Sequence, residues 1–208
     1  MKARYFAALL AVLVPAPAWA DTLNSGVSGV GTVTRLGKGL KEIGLDSMLV
    51  VGYDKTGDAS ALRISALSGP TFRFFVVDNL SLSLNASVLI KKTSADGAPQ
   101  QFDFGGLGSL SAGYHASIGG GLFIVPTLGA GGFYGRRTTG TDPGAVRTGI
   151  YGGTGTLALM FAFYPSAHLS MRAGPQAVVS FGRSSGDAGG QGFLSTDAGF
   201  SIGLSYVF

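Results

Sequence analysis

Only 12% of the 208 residues are charged, 46% are hydrophobic and 35 are glycine, against about 25% charged and about 7% glycine in an ordinary soluble domain. The absence of cysteine excludes a disulfide framework, a Cys-ligated metal site and a lipid-anchored lipoprotein. The formal charge of +4 drops by two once Lys2 and Arg4 are set aside as part of a leader, and the basic pairs Lys91-Lys92 and Arg136-Arg137 read as solvated loop charges, so nucleic acid is not expected as a partner.

The chain begins as a secretory signal peptide does. Lys2 and Arg4 give a positive start, residues 6–14 an apolar run, and Ala18-Trp19-Ala20 a small-x-small cleavage site. The run is too short to cross a hydrocarbon layer of about 30 Å, so residues 1–20 are expected to be removed by cleavage between Ala20 and Asp21. Residues 21–46 are rich in Gly, Ser and Lys, with a weakly helical stretch at 33–45 and no convincing strand. They are expected to form an N-terminal leader, either packed into the mouth of the domain that follows or left as a disordered linker.

From residue 47 the chain divides into eight predicted strands: 47–53, 61–74, 80–90, 102–116, 122–134, 147–164, 169–181 and 193–208. Several alternate with a period of two, the signature of a strand with one apolar and one slim or polar face. In the third, Leu80, Leu82, Leu84, Ala86, Val88 and Ile90 face one way and Ser81, Ser83, Asn85 and Ser87 the other. The last alternates Ala198, Phe200, Ile202, Leu204, Tyr206 and Phe208 against Gly199, Ser201, Gly203, Ser205 and Val207. The connections at 77–79, 117–121 and 165–167 are short, while those at 54–60, 92–101, 136–146 and 183–192 are longer and more polar. Short and long therefore alternate, as turns and loops do at the two ends of an up-and-down membrane barrel.

Past the leader no segment approaches the roughly 18 apolar residues of a spanning helix, which leaves a closed barrel as the structure that lipid permits. The fold class expected is all-β, a membrane-spanning eight-stranded antiparallel up-and-down β-barrel. The slim face carries too few charges to be the outside of a soluble barrel, and small side chains suit a narrow bore. An arginine on the lipid face would cost about 2–4 kcal/mol at mid-depth. Arg63, Arg73, Asn85, Asp103, Arg172 and Gln176 are therefore assigned to the interior, beside His115. Tyr53, Phe72, Phe74, Phe102, Phe104, Tyr114, Tyr134, Tyr164, Phe181, Tyr206 and Phe208 fall near strand ends, where an interfacial girdle is expected.

The final strand, with Phe200, Ile202, Leu204, Tyr206 and Phe208, resembles the closing strand of bacterial outer-membrane β-barrels. Phe74-Phe75-Val76-Val77-Asp78-Asn79-Leu80-Ser81-Leu82-Ser83-Leu84 is similar to the turn-and-strand pattern of that family, and residues 163–169 are a looser echo. Residues 47–208 as a whole look like the small eight-stranded barrels of the OmpA/OmpX/OmpW type. The resemblance implies a Gram-negative-type cell outer membrane, a periplasmic leader at 21–46, and the barrel-assembly machinery as reader of the last strand. It also implies outer-membrane lipid and lipopolysaccharide as partners, and a monomer. Arg136, Arg137 and Arg183 on outer loops suit lipopolysaccharide phosphates by their chemistry, with simple solvation the favoured reading.

Catalysis is not expected. Two His-x-Ser pairs, His115-Ala116-Ser117 and His168-Leu169-Ser170, resemble the pair used by outer-membrane lipid A deacylases, a family on this fold. Both lie at the short-turn end, away from the outer leaflet, and the only glutamate, Glu42, sits in the expected leader, where it is a poor orienting partner. No cofactor or metal is expected: the glycines at 153 and 155 open no helix, and Asp96, Asp142 and Asp187 lack calcium-loop spacing. The expected role is structural, small-solute or surface-interaction, with a lipid-modifying enzyme or a loop-mediated binding protein as alternatives.

Overall fold

The computed structural model describes residues 33, 35–56, 59–95, 97, 99–140, 144–185 and 191–208. The expected signal peptide with Ala18 and Ala20, the start of the expected leader, and Asp96, Asp142 and Asp187 lie outside them. Nine strands follow one another: β1 (Lys41–Thr56), β2 (Ala59–Val77), β3 (Leu80–Ala95), β4 (Gln101–Tyr114), β5 (Ala116–Gly119), β6 (Leu122–Thr139), β7 (Val146–Ser166), β8 (Leu169–Ser185) and β9 (Gln191–Val207). Each of β1 to β4 pairs antiparallel with its neighbour, β1 also pairs with β9, and β4 pairs with β6. The sheet therefore closes on itself. β5 continues the line of β4, so the nine strands make eight staves.

β4 and β5 replace the unbroken strand expected at 102–116. The register on either side of the break is continuous, Gly113 facing Thr127 and Ala116 facing Ile124, which sets Tyr114 opposite Pro126. Proline has no N–H to give the ladder toward β4, so pairing lapses on that side, while on the other side the His115 N–H carries the β3 ladder one step further to the Asn79 carbonyl at 2.7 Å. Pro70 and Pro175 sit at similar gaps, between Ser68 and Thr71 on the β3 side and between Ala173 and Gln176 on the β7 side. Each remains in register with its other neighbour. A closed barrel has no edge to which such residues could retreat, so each proline costs one side of one ladder.

The strands run 14 to 21 residues in the staves, longer than the roughly 11 needed to cross a membrane obliquely. The excess lies at the end away from the termini, where Ala61 still pairs with Ala95 and Val146 with Thr139. Much of what reads as long loop at 92–101, 136–146 and 183–192 is therefore paired hairpin. At the other end the turns are tight. Asn79 takes φ 62°, and Gly119, Gly120 and Gly121 take φ of 96°, 63° and 74°, conformations that Asn and Gly adopt most readily.

Alternation sorts the side chains onto two faces. Leu84, Ile202 and Leu204 are 58%, 57% and 53% exposed on the outside, together with Leu45, Leu49, Leu110, Leu128, Leu157, Phe161 and Phe200. Ser81, Ser83, Ser87, Thr154, Ser201 and Ser205 are buried inside. Such a continuous apolar exterior far exceeds the patches that a water-soluble monomer exposes. Tyr114, Tyr134, Tyr151, Phe102, Phe104, Phe181 and Tyr206 are exposed toward the ends of the apolar surface. Tyr164 is not one of this girdle: it is buried in the lumen, because residue parity on β7 turns it inward when Phe163 points out.

The first stave begins six residues before the expected boundary at residue 47, since Lys41–Asp46 already pair with β2 and, from Glu42, with β9. Lys41 and Phe208 exchange two backbone hydrogen bonds of 2.9 Å, which complete the seam between first and last staves. The weakly helical expectation for 33–45 is also replaced. Val33, Leu36 and Leu40 lie without helix against Phe75, Phe123, Val125, Ala162, Tyr164 and Val207. This apolar cluster is the hydrophobic core of the molecule, and it stoppers the short-turn end. Of the two readings of the leader, the described part takes the packed one.

Candidate functional site

Three layers fill the barrel from the short-turn end outward: the apolar stopper, a buried ionic layer, and a cavity roofed by further ion pairs. The stopper is held by the β2–β3 turn. Asn79 Oδ1 accepts from the Leu36 N–H at 3.1 Å, the Asn79 N–H donates to the Leu36 carbonyl at 2.8 Å, and the Gly39 N–H donates to the Phe75 carbonyl at 2.8 Å. Asp78 accepts from the Lys38 N–H at 2.9 Å and pairs with Arg35.

Two expected results follow from this latch. Asn79→Gly keeps the backbone conformation but removes one acceptor, a loss of about 1 kcal/mol; Asn79→Ala adds about 1–2 kcal/mol for a left-handed non-glycine residue. Urea midpoints in lipid vesicles should rank wild type, Gly, Ala. The Lys38 N–H first, and then Arg35, hold the Asp78 carboxyl below its ordinary 3.8. Its contribution is therefore whole above that value and is lost as pH falls through the lowered folded value. The Lys38 amide resonance in nanodiscs should titrate with a midpoint below 3.8; a midpoint at or above it contradicts the contact.

The ionic layer is centred on Glu42, which is wholly buried. Arg73 Nη1 donates to Glu42 Oε2, and Arg172 Nη2 lies 3.0 Å from the same oxygen. The Tyr164 hydroxyl donates to Glu42 Oε1 at 2.6 Å, and Ser170 Oγ reaches Oε2 at 3.4 Å. Arg73 also donates from Nε to Ser83 Oγ at 2.8 Å and approaches Asp46 at 3.9 Å. A carboxylate at this depth is tolerable only when paired and hydrogen-bonded, and here β2, β7 and β8 each supply a partner. Glu42 is thus no leader residue but the keystone of the lumen. The signal in the sequence was its even spacing from Gly44, Asp46 and Met48, which gives it the inward parity.

The two His-x-Ser pairs come apart. His115 is buried and Ser117 exposed; His168 is exposed and Ser170 buried. His115 Nε2 instead meets Ser81 Oγ at 3.0 Å, and that hydroxyl donates to the Gly113 carbonyl at 3.3 Å. With its proton so used, Ser81 accepts from an Nε2–H tautomer, assigned from this network, and the imidazole is a donor rather than a base. The ring packs 4.8 Å from Phe75 and 6.2 Å from Phe123, between centroids. His168 stacks on Tyr206 at 5.7 Å with Nδ1 3.2 Å from the Val207 carbonyl.

Farther from the stopper, Arg63 pairs with Asp197 at 3.0 Å, and Arg137 grips Asp103 through two bonds of 2.8 Å. Arg137 is therefore a lumen residue of β6, not a loop residue, while Arg136 and Arg183 project outward from β6 and β8. The Arg137 guanidinium also lies 5.8 Å from the Phe193 ring centroid, and Phe193 lies 6.0 Å from Phe133. A cavity of about 200 Å³ is lined by Arg73, Asn85, Asp103, Arg172 and Gln176 among others. Asn85 donates to Thr71 Oγ1 at 2.8 Å. Arg63, Arg73, Asn85, Asp103, Arg172 and Gln176 thus all lie on the inward face of their strands, and the structure brings all but the uncharged two into ion pairs. The sequence reading missed the inward Met48, Leu67, Leu89 and Leu107, which make part of the wall apolar.

No protein-family model matches the chain, and no curated protein matches it. In fold it is similar to small outer-membrane barrels of known structure. The N-terminal β-barrel domain of Pseudomonas aeruginosa OprF is 18% identical, over 83% of this chain and 100% of that one, with a TM-score of 0.48. Pseudomonas aeruginosa OprG is 16% identical over 87% and 99%, also at 0.48. Ail of Yersinia pestis is 12% identical over 82% and 99%, at 0.45. The barrel assignment itself rests on the closed strand register.

Proposed function

We propose that the chain is an integral outer-membrane β-barrel of structural or surface-interaction type, non-catalytic and closed to general diffusion. The single observation that carries this reading is the stoppered lumen: the Val33–Leu36–Leu40 cluster and the Glu42–Arg73–Arg172 layer occupy the bore in succession. The apolar exterior supports lipid as its surroundings, because hydrocarbon is the medium in which exposed leucine costs nothing. Signal cleavage after Ala20, recognition of Phe200, Ile202, Leu204, Tyr206 and Phe208 by the barrel-assembly machinery, and contact of Arg136 and Arg183 with lipopolysaccharide phosphates belong to the same proposal, as does a monomeric state. An eight-stave bore is narrow even when empty of a stopper.

Heat-modifiable gel migration together with planar-bilayer recording tests it. The expected result is a faster-migrating unheated band and a bilayer without steady conductance steps. Stable open-channel steps from the unmodified barrel contradict closure. Alanine at His115 and at His168 should leave lipid A acyl chains unchanged by mass spectrometry.

A further inference from the structure

Among the described residues the lumen's charges do not cancel, and the residue left over identifies a site. Glu42 and Asp46 are engaged with Arg73 and Arg172; Asp197 is taken by Arg63, and Asp103 is gripped at both oxygens by Arg137. Lys91 is the remaining cation among the described side chains. It lines the cavity, and among the described residues it makes no ion pair. The register fixes what surrounds it. Val50, Ser65, Lys91, Asp103 and Arg137 form one lateral row across five staves, each facing the next. Immediately toward the stopper the next row is apolar: Met48 faces Leu67, and Leu67 faces Leu89, two residues from Lys91 on the same face of β3.

A cation in a partly desolvated space is costly unless a counter-charge meets it, and both neighbouring carboxylates are already committed. We infer that the cavity binds a small amphipathic monoanion, with Lys91 holding the anionic head and the Met48–Leu67–Leu89 row receiving a short apolar tail. A single negative charge matches the one cation left over among the described residues. Size sets the tail. A cavity of about 150 Å³ takes benzene, so about 200 Å³ suits a carboxylate or sulfonate with a tail of about six carbons. The inference adds a ligand to the closed barrel proposed above and rests on that lumen being assembled.

The experiment uses the folded barrel in lipid nanodiscs, with hexanoate as probe and hexan-1-ol and hexylammonium as controls of equal length, followed by titration calorimetry and NMR of labelled hexanoate. Saturable hexanoate binding above empty nanodiscs is expected, with neither control matching it. Lys91→Met, checked for heat-modifiable migration, should bind hexanoate roughly ten- to a hundredfold more weakly, the value of a lost charge-assisted contact, and Lys91→Arg should retain it. Absence of saturable hexanoate binding overturns the site. So does hexylammonium binding as well as hexanoate, or an affinity unchanged in Lys91→Met. The three probes on the unmodified barrel decide the matter even if the methionine variant fails to assemble, and loss of heat-modifiable migration in the unmodified protein would point instead to failure of the barrel reading.

Discussion

Replacing Glu42 with alanine lowers the unfolding free energy by about 3–5 kcal/mol, the usual cost of stripping one partner from a buried ion cluster. The reason is what remains. Arg73 and Arg172 are both buried, and without Glu42 they face one another with only the more distant Asp46 in compensation. Tyr164 and Ser170 also lose the acceptor of their hydroxyl protons. Glu42→Gln keeps an acceptor for Tyr164 but not the charge, so it should fall between wild type and alanine. A triple replacement, Glu42→Met with Arg73→Met and Arg172→Leu, removes charge and desolvation cost together and should come close to neutral or better. Urea titration of the folded barrel in lipid vesicles measures all three. A Glu42→Ala variant as stable as wild type contradicts the ionic layer.

The second large effect lies on the opposite face of the wall. Leu84 is outward in the middle of the apolar run of β3, and arginine there should cost about 2–4 kcal/mol because the guanidinium must be drawn into hydrocarbon or snorkel out of it. Ile90 is outward beside Phe104 across the ladder, nearer the aromatic end, and arginine there should cost no more than about 1 kcal/mol. The gradient between the two positions is the informative quantity. A soluble barrel would give arginine at either position a small and equal effect, since both would then be exposed to water.

The outward face of the barrel was legible in the sequence because period-two alternation survives even in short windows. The runs at 80–90 and 198–208 needed only that pattern, and the alternation of short and long connections gave the antiparallel order. The start of the first stave was not legible. Lys41, Glu42 and Gly44 are poor strand formers, and what pulls them into the sheet is pairing with β2 and β9, one of them more than 150 residues away in the chain. The Arg137–Asp103 pair was hidden for another reason: the expected strand at 122–134 stops short of Arg137, whereas β6 runs on to Thr139 and sets Arg137 opposite Asp103.

The candidate site was half legible. Inward polar residues could be assigned by parity and by the cost of charge in lipid, but partners could not, since each pair joins different staves. Tyr164 lies near a strand end, where an interfacial aromatic is expected, but it shares the inward parity of Ala158 and Ala162 on β7. The break at His115 had a visible cause in Pro126, whose effect falls on the neighbouring stave and so requires the register to be known. The apolar wall of the cavity went unseen for a related reason: Leu67, Leu89 and Leu107 look like noise in an otherwise slim face until the barrel sets them beside one another.

The central claim, that the apolar face of each strand meets hydrocarbon and the slim face the lumen, is tested most directly by spin labels. The chain has no cysteine, so single cysteines can be placed and labelled along β3 without competing sites. In lipid vesicles, labels at Leu82, Leu84, Val88 and Ile90 should relax with oxygen dissolved in the acyl chains and be shielded from a water-soluble nickel chelate, with the greatest depth near Leu84. Equal access of the nickel chelate to all four positions, with the protein dispersed in buffer without detergent or lipid, would contradict it.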